Sequence, residues 1–315
     1  MAAARCLSLT FITSPSDDPH AAVIPPFGTH PPSILQIVVR RIGRRLPQAW
    51  LGRRIAAWLR HLVKQTAEGP VDVSVFDFPM RLWLQDNACE RRLMVTPHFF
   101  DPIEFSLLRR LVCKDFQFVD LGANAGIYSL FVGRLAGPGA KILSVEPQPV
   151  MLARLRANIA LNQLRVHIAA TAVSENAGTA EFAVHSSNLG YTSINTRRRG
   201  RGERRIVLMP TRPLLDLVTE CGFTRIDALK ADIEGAEDRA LIPFMEQAPS
   251  YLWPKLFIIE DNRREWARDC FSFLEDRGYR RINGSGNIML TRESSGICSA
   301  GGRRPGQAGR EATAL

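Results

Sequence analysis

The segment FVDLGANAGIYSL (118–130) constrains the fold most strongly, because it joins an apolar strand to a helix through a glycine-rich turn. The strand ends close to Asp120, and Gly122, Asn124 and Gly126 lie in the turn. Glycine lets the backbone approach a ligand closely, and the start of a helix offers unbonded N–H groups. In an open α/β sheet, such a turn lies at the carboxyl ends of the strands, where ligands bind. The segment therefore predicts a ligand site, and an ordinary tight turn is the alternative.

Strand-like and helix-like segments alternate through most of the chain. The predicted strands lie at 116–121, 141–146, 166–173, 179–184, 225–232 and 256–260, and helical segments follow most of them. Strands that alternate with helices of this length form a mostly parallel sheet covered on both faces. Residues 279–283 and 286–291 predict a C-terminal antiparallel hairpin. The predicted fold class is therefore α/β, with a Rossmann-like sheet.

Composition divides the rest of the chain into segments. Residues 1–33 are rich in proline and predict a flexible leader. Residues 34–99 predict a basic helical arm with a small β element, and residues 100–293 form the main domain. The Gly/Ser/Ala/Arg-rich segment 294–315 predicts a disordered tail.

Residues 34–65 of the arm predict a helix that Pro47 divides. In its second half, apolar residues share one helical face, and these are Leu51, Ile55, Trp58, Leu59 and Leu62. Arg53, Arg60 and Lys64 project from the opposite side. Two interpretations remain open. The helix packs on the main domain, or it contacts a membrane surface of anionic lipid or an acidic partner.

The formal charge of +10 is concentrated outside the predicted sheet. Residues 1–70 hold nine Lys and Arg against three acids, and residues 197–205 hold six Arg against one Glu. The remaining core is close to neutral, so we expect no nucleic-acid surface across the protein. The Arg-rich loop 197–205 is either solvated or contacts an anionic acceptor such as an acidic glycan.

The expected localisation is cytoplasmic. The sequence contains no apolar run long enough to span a membrane. The apolar stretch at 6–12 is short and runs into polar residues, so it does not predict a secretory signal. The oligomeric state is left open by the sequence.

Two types of cofactor fit the glycine-rich turn. A dinucleotide fingerprint needs Gly-x-Gly-x-x-Gly, but Asn124 and Ile127 occupy its second and third glycine positions. The tighter Gly-x-Asn-x-Gly turn after Asp120 favours S-adenosylmethionine instead. The next strand ends at Glu146, twenty residues after Gly126, where a carboxylate can accept both hydroxyl protons of a ribose.

A third motif, LKADIEGAE (229–237), delivers Asp232 to the same edge of the sheet. Glu234 and Glu237 follow it closely. Carboxylates this close raise one another's pKa unless Lys230, a metal or a cationic ligand offsets their charge. Alone, the run could simply cap a helix.

Taken together, the chain resembles the FkbM-type methyltransferase family. The resemblance covers about residues 100–291 and rests on VDLGANAGIYSL (119–130), SVEPQP (144–149), the Asn158/Asn162 helix, AVSENAGTAEF (172–182), GYTSIN (190–195) and LKADIEGAE (229–237). It implies a class I methyltransferase fold that binds S-adenosylmethionine. It also implies methylation of a hydroxyl on a sugar, polyketide or related metabolite, with a small molecule or glycan as acceptor.

The resemblance also implies roles for individual residues. The cofactor-binding residues would be Glu104, Asp120, Gly122, Asn124, Gly126, Glu146, Ala172 and Val173. Of these, Glu146 would bind the ribose, and Ala172 and Val173 would lie near the adenine. Asp232 would face the transferred methyl group, supported by Lys230, Glu234 and Glu237.

Methyl transfer requires the acceptor hydroxyl to be aligned and to lose its proton. Asp232 is our candidate for the base or for the group that orients the acceptor. A variant of this mechanism adds Mg²⁺, held by oxygen ligands from Asp232, Asp261 and Asn262.

Two other functions compete with this one. A nicotinamide-dependent oxidoreductase would share the sheet and Glu146, but the glycine spacing argues against it. A non-catalytic scaffold would bind nucleic acid or an anionic membrane through the basic arm and loop.

Overall fold

The computed structural model describes residues 10–12, 24–185, 188–193 and 204–292. The predicted tail at 294–315 lies outside the described residues. So do most of the predicted leader and most of the Arg-rich loop.

Within this part of the chain, helices and strands alternate as the sequence predicts over residues 102–161 and 228–275, whereas five strands follow one another over residues 166–212. The helices are α1 (Ile34–Gly43), α2 (Trp50–Gln65), α3 (Ala88–Val95), α4 (Pro102–Leu111), α5 (Ile127–Ala136), α6 (Pro149–Leu161), α7 (Leu214–Glu220), α8 (Glu237–Gln247) and α9 (Cys270–Glu275). The strands are β1 (Thr10–Ile12), β2 (Pro70–Val75), β3 (Phe78–Trp83), β4 (Gln117–Leu121), β5 (Lys141–Val145), β6 (Val166–Ala169), β7 (Ala172–Val173), β8 (Gly178–His185), β9 (Asn188–Ser193), β10 (Arg204–Arg212), β11 (Ala228–Ala231), β12 (Leu256–Glu260), β13 (Arg280–Asn283) and β14 (Asn287–Thr291).

Eight strands form the main sheet, in the spatial order β1-β6-β5-β4-β11-β12-β14-β13. Neighbours from β6 to β12 are parallel, whereas β1 and the β13–β14 hairpin pair in antiparallel fashion. The chain winds outward from β4 to β6 and then returns to β11, so the strand order reverses between β4 and β11. Ligands bind at the carboxyl ends of strands at such a reversal. The class I methyltransferase fold with a C-terminal antiparallel hairpin is confirmed.

Two apolar cores lie on opposite faces of this sheet. Successive side chains of a strand point to opposite faces, and Phe118 accordingly lies in one core and Val119 in the other. Helices α5 and α6 cover the first face together with the arm, and α7, α8 and α9 cover the second. Every residue of β4 is buried, as expected for a central parallel strand.

A second sheet has four strands in the order β7-β10-β8-β9. The predicted single strand at 166–173 is wrong, because β6 ends at Ala169 and β7 leaves the main sheet to pair with β10. Helices α3 and α7 and strands β9 and β10 were not predicted. In β7, Ala172 packs in the core of the second sheet, whereas Val173 still packs in the second core of the main sheet.

The arm consists of α1 and α2, separated at Pro47 as predicted, and both contact α3. The buried face of α2 is formed by Gly52, Ala56, Leu59 and Val63. Of the predicted apolar face, Leu59 is buried, whereas Leu51 and Trp58 are 60% and 62% exposed. The small residues at 52 and 56 let α2 approach its neighbours closely, and this is why the face that carries them is the buried one. Among the described helices, none is long and apolar enough to cross a bilayer.

A buried ion pair lies within the β2–β3 hairpin, and its two residues connect the hairpin to residues 28–30 and to the main domain. The β2–β3 hairpin carries Asp72 and Arg81, whose Nε lies 2.7 Å from Asp72 Oδ1. Asp72 Oδ2 accepts hydrogen bonds from the N–H groups of Gly28 (2.9 Å) and His30 (3.2 Å). The N–H of Arg81 donates to Asn158 Oδ1 in α6 at 2.8 Å. Asp72 therefore fixes residues 28–30 to the hairpin, and Arg81 fixes the hairpin to the main domain.

Candidate active site

A cleft of about 420 Å³ lies at the carboxyl ends of the central strands. Most of the predicted site residues line it, namely Gly122, Asn124, Glu146, Ala172, Val173, Lys230, Asp232 and Glu234. Helix α3 and the turn between β13 and β14 form further walls. Because the strands are parallel, acids that end different strands meet here although they are far apart in sequence.

Gly122 brings the turn after β4 against the loop after β11. Its φ is +72°, and a Cβ atom there would lie 1.9 Å from the carbonyl oxygen of Asp232. Glycine is therefore required both by conformation and by space. Gly126, which the resemblance also implicates, begins α5 and does not line the cleft.

Asn124 is held in the left-handed region, with φ +53°. Its Oδ1 accepts hydrogen bonds from the N–H of Ala125 and from Nδ2 of Asn87, both at 2.8 Å. Asparagine tolerates this conformation better than most residues, because its short polar side chain can bond locally. Asn87 belongs to the turn before α3, and no local feature of the sequence connects it with this site.

Asp120 stands behind the turn rather than in the cleft lining. It is fully buried, and its Oδ2 accepts hydrogen bonds from Ser129 Oγ (2.6 Å) and Ser129 N (3.2 Å). Its Oδ1 is buried without a hydrogen-bond partner, 3.8 Å from Lys230 Nζ. Burial raises the pKa of Asp120, while Lys230 and Ser129 oppose that rise.

Glu146 lines the cleft at the end of β5, as predicted. Its Oε2 accepts the N–H of Asn124 (2.9 Å), and its Oε1 accepts the N–H of Gln148 (3.0 Å). Burial raises the pKa of Glu146 to about 7, although both N–H groups favour the carboxylate. The carboxyl is thus fixed in orientation and titrates close to neutral pH.

Lys230 is the positive centre of the site. Its Nζ donates to the carbonyl oxygen of Gly122 at 3.0 Å and lies 3.3 Å from Asp232 Oδ2. It also lies 5.5 Å from the centroid of the Tyr128 ring. Burial disfavours the charged form, but Asp232 and Asp120 outweigh burial and raise the pKa of Lys230. Lys230 is therefore a cation at neutral pH and does not serve as a proton acceptor.

Three carboxylates converge beside this lysine. Asp232, Glu234 and Glu260 each offer an oxygen within 4.8 Å of the other two. Burial raises the pKa of Glu260 to about 8, and the charge and hydrogen bond of Asp232 add to the rise. Glu260 therefore retains its proton near neutral pH. Glu260 was not predicted as a site residue, although it ends β12 just as Glu146 follows β5.

The predicted metal ligands Asp232, Asp261 and Asn262 are not brought together. Asp261 faces away and pairs with Arg263, with Nη2 2.8 Å from Oδ2. Asn262 donates through Nδ2 to Glu260 Oε2 at 2.6 Å. The chain turns after β12 and carries the side chain of Asp261 away from the cleft that Asp232 lines, and a metal site at these residues stays a prediction.

Two further acids shape loops rather than line the cleft. Glu104 is fully buried in α4, and its Oε1 accepts hydrogen bonds from N (3.3 Å) and Nδ2 (3.1 Å) of Asn287. It supports the β13–β14 turn, which does line the cleft. Glu237 accepts the N–H of Ile233 at 3.1 Å and Nε1 of Trp266 at 2.7 Å. It thereby fixes the loop that follows Asp232.

Asp101 and Tyr128 also line the cleft and were not predicted. The Tyr128 hydroxyl donates to Asp101 Oδ2 at 2.8 Å. Burial raises the pKa of both groups, and the charge on Asp101 raises the pKa of Tyr128 further. Tyr128 belongs to the glycine-rich turn motif and could have been predicted from it, whereas Asp101 lies in a loop without a distinctive pattern.

The family described as "Methyltransferase FkbM domain" matches residues 120–281. Methyltransferase sdnD of Sordaria araneosa is 30% identical over 208 residues, which cover 50% of this chain and 80% of that protein. The 31-O-demethyl-FK506 methyltransferase FkbM of Streptomyces tacrolimicus is 28% identical over 165 residues, covering 44% of this chain and 61% of that protein.

One similar solved structure is an O-methyltransferase from Bacillus cereus in complex with SAH. It is 14% identical, with a TM-score of 0.36, and the match covers 61% of this chain and 81% of that one. Fibrillarin from Aeropyrum pernix is 13% identical, with a TM-score of 0.37, and the match covers 61% and 74%.

The family match spans more than half of the chain. It includes the glycine-rich turn after β4 and the acids that follow β5 and β11. The chain therefore belongs to the FkbM-type family of S-adenosylmethionine-dependent methyltransferases.

Proposed function

We propose that this protein transfers a methyl group from S-adenosylmethionine to a hydroxyl oxygen of a sugar, polyketide or related small metabolite. The observation that carries the proposal is the contact of Lys230 with Asp232 beside the Gly122 turn, at the reversal of strand order. The name of the S. tacrolimicus relative specifies an O-demethyl acceptor, which supports oxygen as the acceptor atom.

The residues around the turn fit the cofactor. The buried Oδ1 of Asp120 has no hydrogen-bond partner, and Glu146 presents a fixed carboxyl to the cleft. Gly122 and Asn124 would hold the methionine part, Asp120 would support their turn from behind through Ser129, and Glu146 would accept the ribose hydroxyls. Ala172 and Val173 would contact the adenine. When bound, S-adenosylmethionine supplies an electrophilic methyl group on a sulfonium.

Asp232 is the proposed proton acceptor. Its side chain is 39% exposed, so an acceptor can reach it, and Lys230 Nζ lies 3.3 Å from its Oδ2. Glu260 shares a hydrogen bond with Asp232 and orients its carboxylate. The proton moves from the acceptor hydroxyl to a carboxylate oxygen of Asp232. Removal of that proton makes the acceptor oxygen a better nucleophile.

The charges in the cleft bear on the type of acceptor. Asp232, Glu234 and Glu260 lie close together, and each oxygen can accept a hydrogen bond from a hydroxyl. An acidic acceptor would meet repulsion from the same groups. We therefore propose a neutral acceptor with several hydroxyls. A contact between an anionic acceptor and the Arg-rich loop stays a prediction outside the described residues.

The test combines calorimetric titration of S-adenosylmethionine with turnover on a panel of hydroxylated metabolites. Asp232→Asn should lower turnover by about 100-fold or more while leaving the cofactor Kd within about threefold. Glu146→Ala should instead weaken cofactor binding, because it removes the proposed ribose contact. S-adenosylhomocysteine formation by mass spectrometry reports turnover.

Asp261→Asn is the matched control, because that acid follows the next strand but faces away from the cleft. It should retain full activity. Wild-type turnover by Asp232→Asn would refute the role of Asp232. Binding of NADH in place of S-adenosylmethionine would refute the proposal as a whole.

A further inference from the structure

Apolar side chains cover the outward faces of α1 and α2. The exposed members on the two helices are Ile34, Leu35, Ile37, Val38, Ile42, Trp50, Leu51, Ile55 and Trp58. The most exposed are Ile34 at 82% and Trp50 at 70%. Scattered exposed apolar residues are ordinary, but a set this dense within 25 residues marks an interaction site.

The same two helices carry a strong positive charge. Residues 34–65 contain eight Lys and Arg and no Asp or Glu. In the described part of the chain, no carboxylate forms an ion pair with any of these eight basic residues. Arg54 instead lies over the Trp50 ring, 5.1 Å from its centroid. Arg40 donates to the carbonyl oxygens of Ser74 and Met94. Five of the other basic residues are exposed and available to an external anion, namely Arg41, Arg44, Arg45, Arg53 and Arg54.

We propose that these outward faces, here called the arm surface, dock the protein on an anionic lipid bilayer. Apolar and Trp side chains would enter the boundary between headgroups and acyl chains, and the arginines would contact lipid phosphates and carboxylates. This combination of exposed Trp and Ile with adjacent arginines is typical of helices that lie in a membrane interface.

Charge and composition favour lipid over other occupants. A second copy of the chain would bring one acid-free basic surface against another, which like-charge repulsion opposes. Nucleic-acid interfaces are polar and would leave Ile34, Ile37 and Ile42 in contact with water or phosphate. A lipid interface satisfies both the apolar and the cationic groups.

The dimensions of the arm agree with a surface contact. Helix α2 has 16 residues, which corresponds to about 24 Å, less than the roughly 30 Å hydrocarbon core of a bilayer. Its inner face, including Leu59 and Val63, is buried against the core. The helices can therefore lie along the interface while that inner face stays attached to the rest of the protein.

The experiment is sedimentation of the full chain with vesicles of phosphatidylcholine, with or without about one third phosphatidylserine. We expect binding at least about tenfold tighter to the anionic vesicles, weakened by high salt. Emission from the exposed Trp50 and Trp58 should shift to shorter wavelength on binding.

Two variants separate the apolar from the ionic contribution. Trp50→Ser/Trp58→Ser should lower vesicle binding by about tenfold or more, and Arg41→Gln/Arg44→Gln/Arg45→Gln should abolish the preference for anionic lipid. Tyr251→Ser is a matched control, because Tyr251 is 63% exposed on another part of the molecule. For the arginines, the control replaces three exposed ones elsewhere, Arg110, Arg134 and Arg165, by Gln.

Unaltered circular dichroism and S-adenosylmethionine binding will show that the variants are folded. The proposal is overturned if wild type ignores both types of vesicle, or if the arm variants bind as tightly as the controls. Duplex DNA binding that needs the arginines but not the tryptophans would assign the surface to nucleic acid instead. Loss of self-association in the Trp variants, measured by analytical ultracentrifugation, would assign it to a second copy.

Discussion

Among the residues that the structure describes, charged side chains are paired with opposite charges in the cleft but not on the arm surface. In the cleft, Lys230 lies within 4 Å of Asp120 and Asp232 and donates to a carbonyl oxygen. The 32-residue segment 34–65, which carries the arm surface, contains eight basic residues and no acid. A fixed, compensated set of charges suits a small ligand with a defined geometry, whereas uncompensated charge among apolar groups suits a broad and adaptable contact.

Helix α3 lies between the two regions and contributes residues to the cleft and to the core beneath the arm. Asn87, Cys89 and Arg92, in or next to α3, line the cleft, whereas Leu93 and Met94 are buried in the core that includes the arm. The site is therefore assembled partly from the segment that the sequence analysis assigned to the arm. We therefore expect substitutions in the cleft to change function by displacing individual groups. Substitutions on the arm surface should act by changing its apolar and basic character.

Gly122→Ala should have the largest effect. Its Cβ would lie 1.9 Å from the carbonyl oxygen of Asp232 at a φ of +72°, so the loops after β4 and β11 must separate. We expect cofactor binding weaker by about 100-fold or more, together with a lower melting temperature. Calorimetry and thermal denaturation measure both.

Gly278→Ala is the control for backbone strain, because its φ is +86° and no atom lies within 4 Å of the added Cβ. It should lower stability modestly and leave the cofactor Kd unchanged. Equal effects of the two substitutions would contradict the importance of the close approach at Gly122.

Two leucines of α2 test whether the arm surface is exposed to solvent. Leu59 is 3% exposed and Leu51 is 60% exposed on the same helix. Leu59→Ala should lower the free energy of unfolding by about 2–4 kcal/mol, whereas Leu51→Ala should change it by about 0.5 kcal/mol or less. Urea denaturation distinguishes them. A large loss for Leu51→Ala would show that the arm surface is covered in solution.

The smallest expected effect is a pH dependence. Burial raises the pKa of Glu146 to about 7, and its ionised form is the better acceptor for ribose hydroxyls. Cofactor binding should therefore be strongest above pH 7 and should weaken by up to about tenfold for each unit below it. Calorimetry across this range measures the effect. The dependence should vanish in Glu146→Gln, and its persistence there would assign it to another group.

Much of the sheet and several of the residues that line the cleft could be predicted from local sequence. Gly122, Asn124, Glu146 and Asp232 lie at or next to strand ends in a βα series, and parallel strands bring such positions together whatever the intervening sequence. Glu260 follows the same rule and was overlooked in favour of Asp261. Asn87 and Asp101 could not be found this way, because they reach the site through packing of separate segments.

The sequence by itself determined the α/β class, the glycine-rich turn and the acids that follow β5 and β11, because period, composition and strand ends are local properties. Only the tertiary structure decided that Asp120 stands behind the turn, that Asp261 faces away, and which side of α2 is buried. Helical spacing groups Leu51, Leu59 and Trp58 on one face. The burial of Gly52 and Ala56 depends instead on how closely neighbouring segments can approach. That distance is set by contacts remote in sequence.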